Sequence, residues 1–251
     1  MVVLLHGQPG SRSDWAGVIN ELSRTHRVLA PDRPGYGTNA DVACGFDGNV
    51  YSLMARLDAV GIERAVFVGH SWGAGVALLT ALRWPERTAS VVAVAPVVPG
   101  ELGWSDRLLA TPVLGLGTGA LTLTAVRAVG ALPRLLSPLG FVEPRLAQSI
   151  RRSCAGLQIQ RGATSMRVEA QALVREFPAL GTRLSEIRVP TTIVAGSKDR
   201  VIRRDALGAL AKRLPDARLV VIGGGHLLPL EAPEAVADVI DSATRPSPVA
   251  A

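Results

Sequence analysis

The stretch Val66-Phe67-Val68-Gly69-His70-Ser71-Trp72-Gly73-Ala74-Gly75 constrains this chain more than any other. A short apolar run enters Gly-x-Ser-x-Gly, and an apolar helical pattern follows at once. That is the strand–sharp turn–helix context of a nucleophile elbow. Such a turn forces its serine into a strained backbone conformation, and glycines two before and two after it let strand and helix approach closely. The hydroxyl then projects above the sheet with the amino end of the next helix beneath it. Alone, Gly-x-Ser-x-Gly is a weak signal, because glycine and serine are common. The surrounding pattern gives it weight.

Along the chain, short continuous apolar runs alternate with helical periodicity. Strands are expected at residues 2–6, 27–30, 65–68, 90–95, 191–195 and 218–222. Helices are expected at 14–24 with Ser13 as cap, at 47–60 ending on Gly61, at 74–84 before Pro85, and near 203–214 and 233–243. Strand–helix alternation of this kind implies an α/β fold, a doubly wound, mostly parallel sheet. Between Pro99 and Pro190 the alternation stops, leaving helical periodicity with breaker residues. Leu108 to Val126 carries no charged residue, so a membrane span must be weighed. Pro112, the glycines and the mid-chain position argue against it. Arg145 to Arg183 is arginine-rich and amphipathic and reads as a solvent face.

At 251 residues, one large domain with an insertion is expected, and nearly half the residues are apolar, which excludes disorder. The net charge of +6 is almost all arginine, scattered rather than clustered, and no recognition motif points to nucleic acid. Cys44 and Cys154 lie in no metal-binding or redox spacing; two buried or free thiols are expected, with a disulfide between them the alternative. Metal clusters, phosphate loops and dinucleotide fingerprints are likewise missing from the sequence, so no cofactor is expected. Val2 to Leu5 is too short for the apolar region of a secretory signal, and a cytoplasmic location is the expectation.

Several further segments carry a family resemblance. They are Val2-Val3-Leu4-Leu5-His6-Gly7-Gln8-Pro9-Gly10, Ala30-Pro31-Asp32-Arg33-Pro34-Gly35-Tyr36-Gly37, Ile193-Val194-Ala195-Gly196-Ser197-Lys198-Asp199, and Val220-Val221-Ile222-Gly223-Gly224-Gly225-His226, with Leu227 to Pro233 after it. Together with the elbow, they resemble the α/β-hydrolase superfamily over nearly the whole chain. The resemblance implies a core at residues 1–98 and 189–245, a helical cap at 99–188 and a flexible tail at 246–251. It also implies an amino-terminal strand hairpin, whereas this sequence enters at the oxyanion-loop strand. Six parallel strands are therefore expected, with the 27–30 strand at an edge, either frayed in a monomer or paired in a homodimer.

A serine hydroxyl is a poor nucleophile near neutral pH and needs a base. The resemblance assigns Ser71 as nucleophile and His226 as base, in the chain order Ser…Asp…His. Asp199 would orient His226, with Asp205 and Asp216 as rivals in a helix and a turn. His6 and His70 are read as local structure and His26 as a surface residue. The backbone N–H groups of Gln8 and Trp72 would form the oxyanion hole, since Pro9 has none to give. The Gln8 side chain could reach the pocket, and the Trp72 ring lines either the pocket or the core. A serine rules against the aspartate-nucleophile branches of the superfamily. Ester or thioester hydrolysis of a small, largely apolar substrate leads. Carbon–carbon bond hydrolysis on the same residues is the nearest alternative, and peroxide chemistry a side reaction. A non-catalytic ligand-binding role is the alternative of a different class.

Overall fold

The structure, a computed structural model, describes residues 1–101, 103–131, 146 and 158–245. The expected tail at 246–251, Cys154 and the first part of the arginine-rich stretch lie outside the described residues.

Six strands form one sheet, β1 (Val2–Leu5), β2 (Val28–Leu29), β3 (Ala65–His70), β4 (Thr88–Val94), β5 (Thr191–Gly196) and β6 (Ala217–Ile222). Their order is β2-β1-β3-β4-β5-β6, and every pairing is parallel. Side chains alternate between two apolar layers. Val3, Leu5, Phe67, Val91, Ala93, Ile193 and Ala195 pack into one layer, and Val2, Leu4, Val66, Val68, Val92, Val94 and Val194 into the other. Helices α1 (Ala16–Leu22) and α9 (Pro233–Thr244) cover the second layer through Val18, Leu22, Val236 and Ile240. Helices α2 (Phe46–Ala59), α3 (Trp72–Arg83) and α8 (Arg204–Arg213) cover the first.

This order contains a switch point. From β1 the chain winds outward to β2; from β3 it winds the other way, through β4 to β6. The loops leaving the carboxyl ends of β1 and β3 therefore diverge, and a crevice opens between them. In open α/β sheets that is where ligands bind.

Between β4 and β5 the described residues hold no strand. They form α4 (Trp104–Leu109), α5 (Leu114–Ala131), α6 (Ile159–Arg175) and α7 (Phe177–Thr182). A Cβ on Gly119 would meet Ala163 at 3.1 Å, so a glycine allows the close crossing of α5 on α6. No helix among the described residues is long and apolar enough to cross a membrane.

One helix start differs from the sequence reading. The expected cap Ser13 lies inside a single 3₁₀ turn, Arg12–Trp15, and Ser11 is the cap. Its hydroxyl accepts from the Ser13 N–H, and Asp14 reaches back to the Ser11 N–H. Serines two apart both satisfy the capping pattern, and the tighter turn selects the earlier one.

The elbow glycines have measurable reasons. A Cβ on Gly69 would lie 2.3 Å from the Gly73 carbonyl oxygen and 2.4 Å from the Ala74 backbone. A Cβ on Gly73 would lie 2.5 Å from the carbonyl oxygens of Leu5 and His6, so α3 crosses β1 in backbone contact. Gly73→Ala is expected to destabilise the fold by about 3 kcal/mol, because no flexible side chain is there to yield. Gly208→Ala in α8, whose Cβ meets nothing within 4 Å, should instead stabilise by about 0.5–1 kcal/mol. Urea unfolding of both variants checks this, and equal midpoints would sink the close-packing account.

Candidate active site

The site lies at the carboxyl ends of β1, β3, β5 and β6. Ser71 follows β3 with φ 50° and ψ −116°, a region that L residues rarely occupy. Three main-chain bonds hold it there. The Ser71 N–H donates to the Val94 carbonyl at 2.9 Å, and the Ser71 carbonyl accepts from Ala74 at 3.0 Å and Val97 at 3.3 Å.

His226 follows β6. Its Nε2 lies 3.1 Å from Ser71 Oγ, and its Nδ1 lies 3.0 Å from Asp199 Oδ2. A carboxylate oxygen only accepts, so Nδ1 carries the hydrogen and Nε2 is left to receive the serine proton. Asp199 Oδ1 accepts from the N–H groups of Val201 at 2.7 Å and Ile202 at 3.0 Å. Its side chain is only 2% exposed. Burial alone would raise its pKa, but the His226 hydrogen bond and these N–H groups outweigh it and hold the carboxyl below its ordinary value. Lys198 and Arg200 beside it are exposed. The rival Asp205 is taken up at the surface by Arg203.

Two residues brace the His226 loop. Glu231 accepts from Gly225 N–H at 2.5 Å and from Leu227 N–H at 3.0 Å, gripping the chain on both sides of His226. His70 Nε2–H donates to the His226 carbonyl at 2.8 Å. Burial, then the nearby His226, push the His70 pKa down to about 3. His6 is likewise held neutral, first by burial and then by Arg33. Its Nε2 accepts from Arg33 N–H at 3.0 Å, and its Nδ1–H donates to the Gly7 carbonyl at 2.9 Å.

Gln8 lies in the loop after β1, and Trp72 is the first residue of α3, whose N–H has no acceptor within its own helix. The Gln8 side chain turns to α6, donating from Nε2 to the Met166 carbonyl at 2.8 Å. The Trp72 ring is buried in the core, stacked on Phe46 at 4.0 Å, and its indole N–H donates to the Glu169 carbonyl at 3.3 Å. His26 bonds Asp241 at 2.9 Å, far from the other histidines in the fold.

The sequence reading missed Arg33 and Glu169. Arg33 donates from Nε to the His6 carbonyl at 2.9 Å and from Nη2 to the Gly7 carbonyl at 2.8 Å. Its Nη1 meets Glu169, and Tyr36 OH donates to the same carboxylate at 2.7 Å. A signal existed on each side. Arg33 stands inside a quoted motif, and Glu169 is the only acid between Gln158 and Arg175, set on the stripe of Met166, Ala170 and Leu173. Among the described residues no group of His, Cys, Asp and Glu could hold a metal ion.

Comparisons with known proteins bear on the family and the fold. The profile of the alpha/beta hydrolase family matches residues 2–239. A 2-hydroxy-6-oxononadienedioate/2-hydroxy-6-oxononatrienedioate hydrolase of Paraburkholderia phymatum is 28% identical over 235 residues, covering 90% of this chain and 80% of that protein. A 2-hydroxy-6-oxo-2,4-heptadienoate hydrolase of Pseudomonas putida is 32% identical, covering 92% and 83%. A thermophilic esterase from Thermogutta terrifontis shares the fold with a TM-score of 0.77 at 22% identity, covering 96% of this chain and 88% of that one.

The two neutral histidines make stability depend on pH. Unfolded, each binds a proton near pH 6.5; folded, His70 takes one only near pH 3. The unfolded state therefore binds more protons as pH falls below 6.5, and stability falls with it. From pH 7.5 to 5.0 the loss from His70 should be roughly 2 kcal/mol, read from urea midpoints, and His6 adds to it in the same direction. The His70 ring resonances should keep their neutral position throughout, and a His70 signal titrating above pH 5 would falsify this.

Proposed function

Because the chain belongs to the alpha/beta hydrolase family and is a hydrolase enzyme, we propose that Ser71 attacks a carbonyl carbon of a small, largely apolar substrate. The unbroken hydrogen-bond relay from Asp199 through His226 to Ser71, at the mouth of the switch-point crevice, carries this reading. As Oγ adds to the carbonyl, its proton passes to His226 Nε2, and Asp199 stabilises the imidazolium that forms. The N–H groups of Gln8 and Trp72 receive the negative charge that develops on the carbonyl oxygen. Collapse of the adduct expels the leaving group, which takes the proton from His226. Water, deprotonated by the same imidazole, then releases the acyl group from Ser71. The helices between β4 and β5 act as the cap over this site, and their uncharged Leu108–Val126 stretch favours apolar substrates.

Ester or thioester hydrolysis needs nothing beyond these groups. The names of the relatives favour a second reading, cleavage of a carbon–carbon bond in a conjugated oxo-dienoate. The same attack on a ketone carbonyl would serve, provided the departing carbon is stabilised by conjugation. Parallel assays with p-nitrophenyl esters and with a 2-hydroxy-6-oxo-dienoate, whose chromophore bleaches on cleavage, separate the two.

Ser71→Ala should lower kcat by about four to six orders of magnitude on whichever substrate is turned over. His226→Ala should match it, and the double variant should be scarcely worse, since the groups act as a unit. Multiplicative losses in the double variant would reject the pairing. Asp199→Asn should be severe but milder. Across a p-nitrophenyl series, kcat/KM should rise about fourfold for each methylene buried, about 0.8 kcal/mol apiece. A flat profile would count against an apolar pocket.

A further inference from the structure

We infer that helix α6 sets the geometry of the oxyanion hole, with Glu169 and Arg33 as its positioning residues. The inference rests on the chemistry proposed at Ser71. Three independent lines on the molecule converge on one turn of α6. The Gln8 side chain is tied to the Met166 carbonyl, and the Trp72 indole to the Glu169 carbonyl. Both residues assigned to the oxyanion hole thus hang from carbonyls three residues apart on the same helix. The third line runs through charge. The Glu169 carboxylate holds Arg33, and Arg33 in turn grips the carbonyls of His6 and Gly7, immediately before Gln8.

The pair is sealed inside the protein, with side-chain exposures of 2% for Arg33 and 0% for Glu169. The Arg33 guanidinium lies over the Trp72 ring, 4.5 Å from its centroid, and over that of Tyr36 at 5.0 Å. Tyr36 completes the carboxylate's bonding, and Ser165, also on α6, donates to the Gly35 carbonyl at 2.9 Å. A buried pair of this kind is weak evidence for stability, since apolar replacements often serve as well. Its fixed fork geometry suits a different task. The guanidinium is planar and directional, so it sets the two loop carbonyls at fixed angles. Turning those peptide units turns the Gln8 N–H that follows them. A shift of α6 relative to the core therefore turns the Gln8 donor relative to the Trp72 donor, which the elbow holds in place. On the proposed reading, α6 belongs to the cap, so seating of substrate under the cap would be registered at the point where negative charge develops.

The test uses the full chain. Arg33→Met combined with Glu169→Leu removes both charges together and leaves no buried charge unpaired; it should fold, with a lower melting temperature because the His6 and Gly7 carbonyls and the Tyr36 hydroxyl lose partners. Its kcat on p-nitrophenyl butyrate should fall by about tenfold or more while KM stays within about twofold. The affinity for a short alkylboronic acid, which adds to the serine hydroxyl and places an oxygen in the oxyanion position, should fall in parallel. A stable double variant with kcat and boronate affinity within about twofold of the parent overturns the inference. Gln8→Met, which cuts only the tie to Met166 and leaves the backbone N–H, covers the case of a double variant that does not fold. It should show the same kcat loss at constant KM, and parental kinetics there overturn the inference as well. Failure of the parent itself to turn over ester or to bind boronate in a Ser71-dependent way overturns the proposed chemistry instead, and the inference with it.

Discussion

The close approach of β3 to α3 across a one-residue turn is the constraint on which the rest of the site depends. Gly69 and Gly73 leave no room for a Cβ on either side of Ser71, so strand, turn and helix are locked at backbone contact distance. That lock forces φ to 50° at Ser71, and the bonds to Val94, Ala74 and Val97 hold it there. The strain is local and small beside the burial of the two apolar layers around the sheet. Its effect is large, because it lifts a hydroxyl out of the sheet and aims an unpaired helix N–H beside it. The same contact sets α3 against the end of β1, which places Gln8 across the crevice from Trp72.

The elements that carry this arrangement were legible in the sequence because each is local. Buried parallel strands read as continuous apolar runs, and all six fall where such runs were read, with no end displaced by more than two residues. Asp199 and His226 were legible through the family motifs in the short loops after β5 and β6, since strand ends in a parallel sheet deliver their loops to one edge. The direction of the Trp72 ring was not legible. Position one of a helix does not say which way a side chain turns, and only the fold brings Phe46 and Arg33 to its two faces. The Glu169 partnership was hidden for a related reason. Its partner lies 136 residues away, so the apolar stripe around Glu169 could mark the acid as buried but could not name Arg33.

A buried pair is normally an expense. Burial pushes the Glu169 pKa up, against the pull of Arg33 and Tyr36, so the site tolerates a charge that water would hold more readily. The carboxylate is nevertheless surrounded by donors, and Arg33 spends its N–H groups on Glu169, Asn49 and two loop carbonyls. A fully satisfied network of this type rigidifies what it touches. Here it touches the loop after β1, the one wall of the crevice that no strand pairing fixes. Asp32 does similar service beside it, accepting from the Arg12 N–H at 2.7 Å and the Thr38 N–H at 2.8 Å.

Proton placement follows from the same economy of fixed partners. Three histidines line this end of the sheet, and each has its tautomer chosen by a neighbour that can act in only one sense. The Arg33 N–H can only donate, so His6 must accept at Nε2 and carry its hydrogen on Nδ1. The His226 carbonyl can only accept, so His70 must carry its hydrogen on Nε2. The Asp199 carboxylate can only accept, so His226 presents a bare Nε2 to Ser71. Burial keeps the first two neutral, and a neutral His70 adds no positive charge beside a ring that, in the proposed reaction, becomes cationic when it takes the serine proton. A charged imidazole at position 70, with its ring centroid 5.2 Å from that of His226, would oppose that step. The histidine before the serine is thus constrained to be a neutral brace, and the only imidazole left with an open acceptor toward Ser71 is the one that Asp199 can stabilise.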